Sequence, residues 1–157
     1  MEANMPSILF VCTGNQFRSP IAAEAFRNLV SSDGRDTQWQ VSSAGTWTSS
    51  GRHALQKAVE VARSFGLNIE GHLTRALDKT MLEESDIVLV MTAGHKESIQ
   101  VDFPFARKKV HLISQILEGI ESDLPDPAEA SGEIFEIIRD LVTMIRLEYK
   151  NIYKLVD

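Results

Sequence analysis

The apolar run Ile8-Leu9-Phe10-Val11 passes directly into Cys12-Thr13-Gly14-Asn15-Gln16-Phe17-Arg18-Ser19-Pro20. The run reads as a buried strand, and Ser19-Pro20 reads as a helix N-cap followed by the first helical residue. A cysteine therefore leaves a strand where an arginine opens a helix, and the backbone N–H groups between them are free to turn inward. Such a loop is a nest for a tetrahedral oxyanion with a thiol at its floor. The positive end of the helix, roughly half a charge, favours an anion there and favours Cys12 as a thiolate nucleophile. Ser19 adds a hydroxyl within reach of the sulfur, and Arg18 offers a planar fork that binds two phosphate oxygens at once. Gly14 is expected to permit a tight turn, and Asn15 to tolerate a left-handed backbone while its amide holds the turn from the side. The plain alternative is a structural cysteine beside an unrelated surface arginine. The strand before the pattern and the Ser-Pro after it argue against that.

The rest of the chain alternates apolar runs with amphipathic stretches. The first helix is expected from Pro20 to about Val30, with Ser31-Ser32-Asp33-Gly34 as its breaker. A second strand is expected over Trp39–Ser43 and a helix over His53–Phe65, ended by Gly66. Thr80 to Glu83 has the spacing of a capping box on a short helix. Ile87–Met91 reads as the third strand, Gly94–Gln100 as a short helix and Val110–Ile113 as the fourth strand. The tract Arg107-Lys108-Lys109 reads as the solvated start of that strand rather than a binding patch. Asp126 lies between Pro125 and Pro127, two fixed φ angles that make its loop stiff. A long helix is expected from about Gly132 to Tyr153, its apolar stripe packed on the sheet. Short apolar strands separated by helices imply one four-stranded parallel sheet with helices on both faces, in a single domain over residues 1–157 with 1–6 disordered. Ligands of such sheets bind outside the carboxyl ends of the strands, which is where Cys12 falls.

Composition removes other classes. With 157 residues, 43% apolar and 24% charged, the chain has the make-up of one globular domain. No apolar run is long enough to span a bilayer, so membrane insertion is not expected. Met1–Pro6 lacks the basic and apolar regions of a secretory signal, and one cysteine fits a reducing compartment, so a cytoplasmic location is expected. A net charge of -6 argues against nucleic acid as a partner. His53, His72, His95 and His111 have no metal-ligand spacing, and neither a metal nor a cofactor is expected. The first loop lacks both G-x-G-x-x-G and the glycine–lysine pair of nucleotide-binding loops. A non-catalytic phosphate-binding module is the alternative of another class, and a mere binder would need neither the Cys12 thiol nor the Asp126 carboxyl.

The Cys12–Pro20 stretch resembles the phosphate loop of the low-molecular-weight protein tyrosine phosphatases, and the resemblance runs from about Ser7 to the last helix. Asp126-Pro127 matches the family's late Asp-Pro, Val41-Ser42-Ser43-Ala44-Gly45 its segment after the second strand, and His72 its histidine before the next helical segment. The resemblance implies the flavodoxin-like phosphatase fold and in-line displacement at phosphorus. Cys12 would be the nucleophile, Asp126 the general acid and then base, and Arg18 with the amides of Thr13, Gly14, Asn15, Gln16, Phe17, Arg18 and Ser19 the phosphate ligands. It further implies that Ser19, Asn15, Ser43 and His72 support the loop. The implied substrate is a phosphorylated protein or peptide, with phosphotyrosine leading and phosphoarginine or a small phosphate ester as alternatives. The implied assembly is a monomer or weak homo-oligomer. Gln16, Trp47 and Glu129 are the candidate pocket residues. The chain departs from many relatives at Phe17, where they carry a second cysteine. Oxidation of Cys12 is therefore expected to run on to irreversible forms. The lack of further cysteines also argues against the thiol relay of arsenate reductases. After Asp-Pro, Ala128-Glu129-Ala130 stands where tyrosine phosphatases often place aromatic residues.

Overall fold

A computed structural model describes residues 5–127 and 133–156. Strand β1 (Ser7–Cys12) leads through the Cys12–Phe17 loop into helix α1 (Arg18–Ser32). After a short 3₁₀ turn comes β2 (Gln40–Gly45), then α2 (Gln56–Ser64), α3 (Lys79–Glu84) and β3 (Ile87–Val90). Helix α4 (Ala93–Asp102), a second 3₁₀ turn, β4 (Val110–Leu112), α5 (Ile113–Glu118), α6 (Ile134–Glu148) and α7 (Lys150–Tyr153) complete the order. The strands form one parallel sheet in the order β2-β1-β3-β4.

Side chains alternate across each strand, so the sheet separates two cores. Ile8, Phe10 and Cys12 of β1, with Ile87 and Leu89 of β3, face the larger core built with α1, α2, α5 and α6. Leu9, Val11, Val88 and Val90 face the smaller one, closed by Leu82 of α3 and Ile99 of α4. Both faces of β1 and β3 are covered, which is why these strands read as unbroken apolar runs. The chain moves from β1 to β2 on one side and then crosses to β3 on the other. The switch in strand order therefore lies at the carboxyl end of β1, beside Cys12.

Several sequence expectations shift for physical reasons. Helix α1 starts at Arg18 with Phe17 at the N-cap, not at Pro20 after a Ser19 cap. Pro20 still fits, because first-turn N–H groups have no partner inside the helix. The breaker acts later than expected, with Ser32 the last helical residue and Gly34 at φ 72°. The expected His53–Phe65 helix begins only at Gln56. The cap of α3 is Asp78, whose carboxylate accepts from Met81 N, rather than Thr80. Strand β2 is displaced toward Gly45, and Ile113 starts α5 instead of ending β4. The expected C-terminal helix is divided into α6 and α7, and its proposed start at Gly132 lies outside the described residues. Lys109 is more engaged than a solvated strand start, since its ammonium donates to the carbonyls of Leu82 and Ser85 at 2.8 and 2.9 Å. Those carbonyls lie at the carboxyl end of α3, where a cation is favoured. Of the amino-terminal segment, Met5 and Pro6 are described, and the Pro6 carbonyl accepts from Gln40 N.

Candidate active site

The loop after β1 is held by its carbonyls. Cys12 O accepts from Thr46 N, Thr13 O from Trp47 N and Gln16 O from Leu55 N, at 2.9, 2.9 and 3.2 Å. Asn15 O is bonded to His72 Nε2 at 2.7 Å, so this ring nitrogen donates. In a trans peptide the N–H points opposite to the carbonyl. Carbonyls fixed outward by the rest of the domain therefore turn the amides of Thr13, Gly14, Gln16 and Phe17 to the concave side. Among the described residues these amides meet no protein acceptor. The concave side of the loop thus presents several backbone donors, the arrangement of an anion nest.

Asn15 is the pivot. It is fully buried with φ 56°, the left-handed region that asparagine enters more readily than most residues. Its side-chain nitrogen donates to Ser19 Oγ and Ser43 Oγ at 2.8 and 3.0 Å, and its Oδ1 accepts from Arg75 N at 2.9 Å. The structure thus brings Asn15, Ser19, Ser43 and His72 into one network. Burial lowers the pKa of His72, partly opposed by its bond to Asn15 O. Gly14 behaves differently from expectation. The positive φ falls on Asn15, and a Cβ at Gly14 would meet only Gln16 Oε1, at 3.9 Å. The glycine that close approach demands is Gly45 at the end of β2, where a Cβ would sit 2.6 Å from Thr13 O and 3.1 Å from Asn15 Cβ.

Cys12 Sγ lies 2.9 Å from Ser19 Oγ, and both groups are buried. Ser19 Oγ accepts from Asn15, and its own proton has the sulfur at 2.9 Å and Ala44 O at 3.5 Å as acceptors. Arg18 is 3% exposed; Nη1 donates to Leu124 O at 2.8 Å, and Nη2 lies 3.4 Å from Thr13 Oγ1 and 3.8 Å from Asp126 Oδ2. The segment carrying Asp126 is anchored on several sides. Leu124 N donates to Met91 O, Ala93 N to Asp123 Oδ1, and the Ser114 hydroxyl bridges both backbone groups of Ser122. Cys12, Gly14, Gln16, Phe17, Arg18, Leu55 and Asp126 line one cleft of about 70 Å³. A thiol, a guanidinium fork and a carboxyl group converge on it.

Residues 7–152 match the family model of the low molecular weight phosphotyrosine protein phosphatases. The chain belongs to that family. It is 39% identical over 136 residues to a putative low molecular weight protein-tyrosine-phosphatase of Klebsiella pneumoniae, covering 87% of this chain and 89% of that one. It is 35% identical over 135 residues to a protein-arginine-phosphatase of Bacillus subtilis, covering 85% and 87%. Among solved structures, a YwlE mutant from Bacillus subtilis superposes with a TM-score of 0.85 at 31% identity, covering 94% of this chain and 99% of that chain. The expected fold and family are therefore found, and this phosphatase family includes members named for two kinds of phosphoprotein.

The pocket residues divide. Gln16 lines the cleft and its side-chain nitrogen donates to His53 O at 2.9 Å. Trp47 is 84% exposed and is not among the residues lining this cleft, and its backbone N–H steadies Thr13 O. Glu129 lies outside the described residues. Leu55, within the expected His53–Phe65 helix, precedes α2, is 38% exposed and forms a cleft wall. Sequence reasoning missed His95, whose Nε2 is 2.8 Å from Thr13 Oγ1, because no spacing ties it to the loop. Leu124, whose backbone oxygen receives Arg18, had no side-chain signal at all. Among the described residues no group of three or more His, Cys, Asp or Glu is placed to hold a metal, and no helix is long and apolar enough to cross a membrane.

Proposed function

We propose that this chain hydrolyses phosphoryl groups on proteins without a metal, with phosphotyrosine as the leading substrate. The observation that carries the proposal is the convergence of Cys12, Arg18 and Asp126 on the cleft above the outward-bonded loop. Cys12 Sγ attacks phosphorus in line, forming an S–P bond as the bond to the leaving oxygen breaks. Asp126 gives that oxygen its proton. Arg18 and the amides from Thr13 to Ser19 hold the three equatorial oxygens, and the Ser19 hydroxyl stabilises the sulfur as leaving group in the second step. The Asp126 carboxylate then takes a proton from water as its oxygen attacks the phosphocysteine, and phosphate is released. Positive charge comes from the guanidinium, the amides and the amino end of α1, so the chemistry needs no divalent ion. A cytoplasmic site of action goes with the reduced state that Cys12 requires.

A second reading, phosphoarginine, is favoured by the 35% identity to a protein-arginine-phosphatase and by Gln16. The Gln16 side-chain nitrogen is committed to His53 O, leaving Oε1 on the Gly14 side of the cleft. That oxygen is an acceptor suited to a guanidinium N–H and of no use to a phenyl ring. The deciding experiment compares turnover of a phosphotyrosine peptide and a phosphoarginine peptide in EDTA, with Cys12→Ser as the blank. Cys12-dependent turnover favouring the first supports the leading reading, and a reversed preference supports the second. No Cys12-dependent turnover of either would refute both.

A further inference from the structure

We infer that His95 is a positioning residue for Arg18, acting through the Thr13 hydroxyl. The inference rests on the phosphatase reading above. His95 sits in the first turn of α4, where its N–H is bound by the Thr92 cap at 3.1 Å. The ring reaches the loop after β1 and is only 8% exposed. Nε2 is 2.8 Å from Thr13 Oγ1, whereas Nδ1 is buried with no hydrogen-bond partner among the described residues.

That asymmetry selects the tautomer. A proton on Nδ1 would be a buried donor without an acceptor, which costs more than an unused lone pair. The proton therefore sits on Nε2 and is donated to Thr13 Oγ1. A protonated imidazolium would bring the same buried Nδ1–H, and Arg18 opposes that charge as well, whereas Asp123 and Asp126 favour it. Burial is the largest influence and keeps the ring neutral. Thr13 Oγ1 then accepts from His95 and has a second lone pair for Arg18 Nη2, 3.4 Å away. Were His95 instead the acceptor, its proton would sit on Nδ1, buried without a partner among the described residues. With Leu124 O on Nη1 and Thr13 Oγ1 on Nη2, both arms of the guanidinium are held from the protein side. Its remaining N–H groups are left for phosphate oxygens, and geometry fixed before reaction is what transition-state stabilisation needs.

The test uses His95→Leu, His95→Gln, Thr13→Val and the Leu/Val double variant. Gln places an amide N–H near the position of Nε2, and Val keeps the shape of threonine without its hydroxyl. The readouts are kcat and KM on the preferred phosphopeptide, and Kd for inorganic phosphate by calorimetry. One hydrogen bond to a charged group corresponds to about a ten- to hundredfold effect. Expected is a drop of that order in kcat for His95→Leu and for Thr13→Val, a smaller change in KM, and weaker phosphate binding. His95→Gln should recover most of the loss, and the double variant should be no worse than either single one, as for groups acting in series. Wild-type kcat in both His95→Leu and Thr13→Val would overturn the inference, as would fully additive losses. Should His95→Leu not fold, Thr13→Val and His95→Gln carry the same comparison. If wild-type protein turns over no phosphopeptide, the phosphatase reading has failed, and the phosphate affinities alone decide the role of His95.

Discussion

Replacing Asn15 separates two contributions that the phosphate loop combines. Asn15→Ala removes two donated bonds, to Ser19 and Ser43, and one accepted from Arg75 N. At about 1 kcal/mol net for each, this is about 3 kcal/mol. Alanine must also hold φ 56°, which adds about 1 kcal/mol beyond what asparagine bears there. Asn15→Gly loses the same bonds but adopts positive φ freely. The expected destabilisation is therefore about 4 kcal/mol for alanine and about 3 kcal/mol for glycine, on the scale of a buried network. Urea unfolding at pH 7 measures both, provided the slope is unchanged from wild type. Phosphate affinity should fall in both variants, because Ser19 loses a partner that holds its hydroxyl beside Cys12. Alanine proving as stable as glycine would show that the backbone is not strained at Asn15. A loss below about 1 kcal/mol in both would refute the network as a source of stability.

Gly45→Ala should destabilise by about 2 kcal/mol and weaken phosphate binding, because its Cβ would press on the Thr13 carbonyl, a backbone atom that cannot yield without moving the loop. Gly14→Ala, with its nearest new contact at 3.9 Å, should unfold much closer to wild type in the same urea titration. The His95 pKa is lowered from 6.5 to about 4, mainly by burial, so its contribution to stability is complete above pH 6.5 and declines as the pH falls toward 4. At pH 5 the loss from this ring is about 2 kcal/mol relative to pH 7. His95→Gln should remove that part of the acid sensitivity, and parallel stability–pH curves for the two proteins would contradict it.

The sheet, the order of its strands and the Cys12–Arg18 loop are legible in the sequence, since β1 and β3 are covered on both faces and the loop's chemistry is local, whereas α5 and the division of the last helix are not. What is not legible arises between segments. Ser19 has the look of an N-cap, yet Cys12 and Asn15 engage its hydroxyl and the helix begins at Arg18 instead. Gly14 draws attention as the glycine of the motif, although the tight contact falls on Gly45, set by the pairing of Cys12 with Gly45 across β1 and β2. Leu55 fits an apolar helical stripe, but its position before the first turn of α2 turns it to the cleft. His95 and Leu124 belong to the site through contacts 82 and 106 residues apart in the chain, which no local pattern encodes.

The outward-bonded carbonyls have a consequence for anyone wishing to move this site. The stretch from Cys12 to Pro20 is not a cassette. Spliced into another strand–helix junction it would carry the nucleophile and the guanidinium, but nothing there would hold Cys12 O, Thr13 O, Asn15 O and Gln16 O facing away. The smallest transferable unit is discontinuous: β1 with its loop, a parallel neighbour ending in glycine at the same register, and the segments that bring Leu55, His72 and Arg75 against it. A scaffold lacking any of these would inherit the residues of the loop without its curvature.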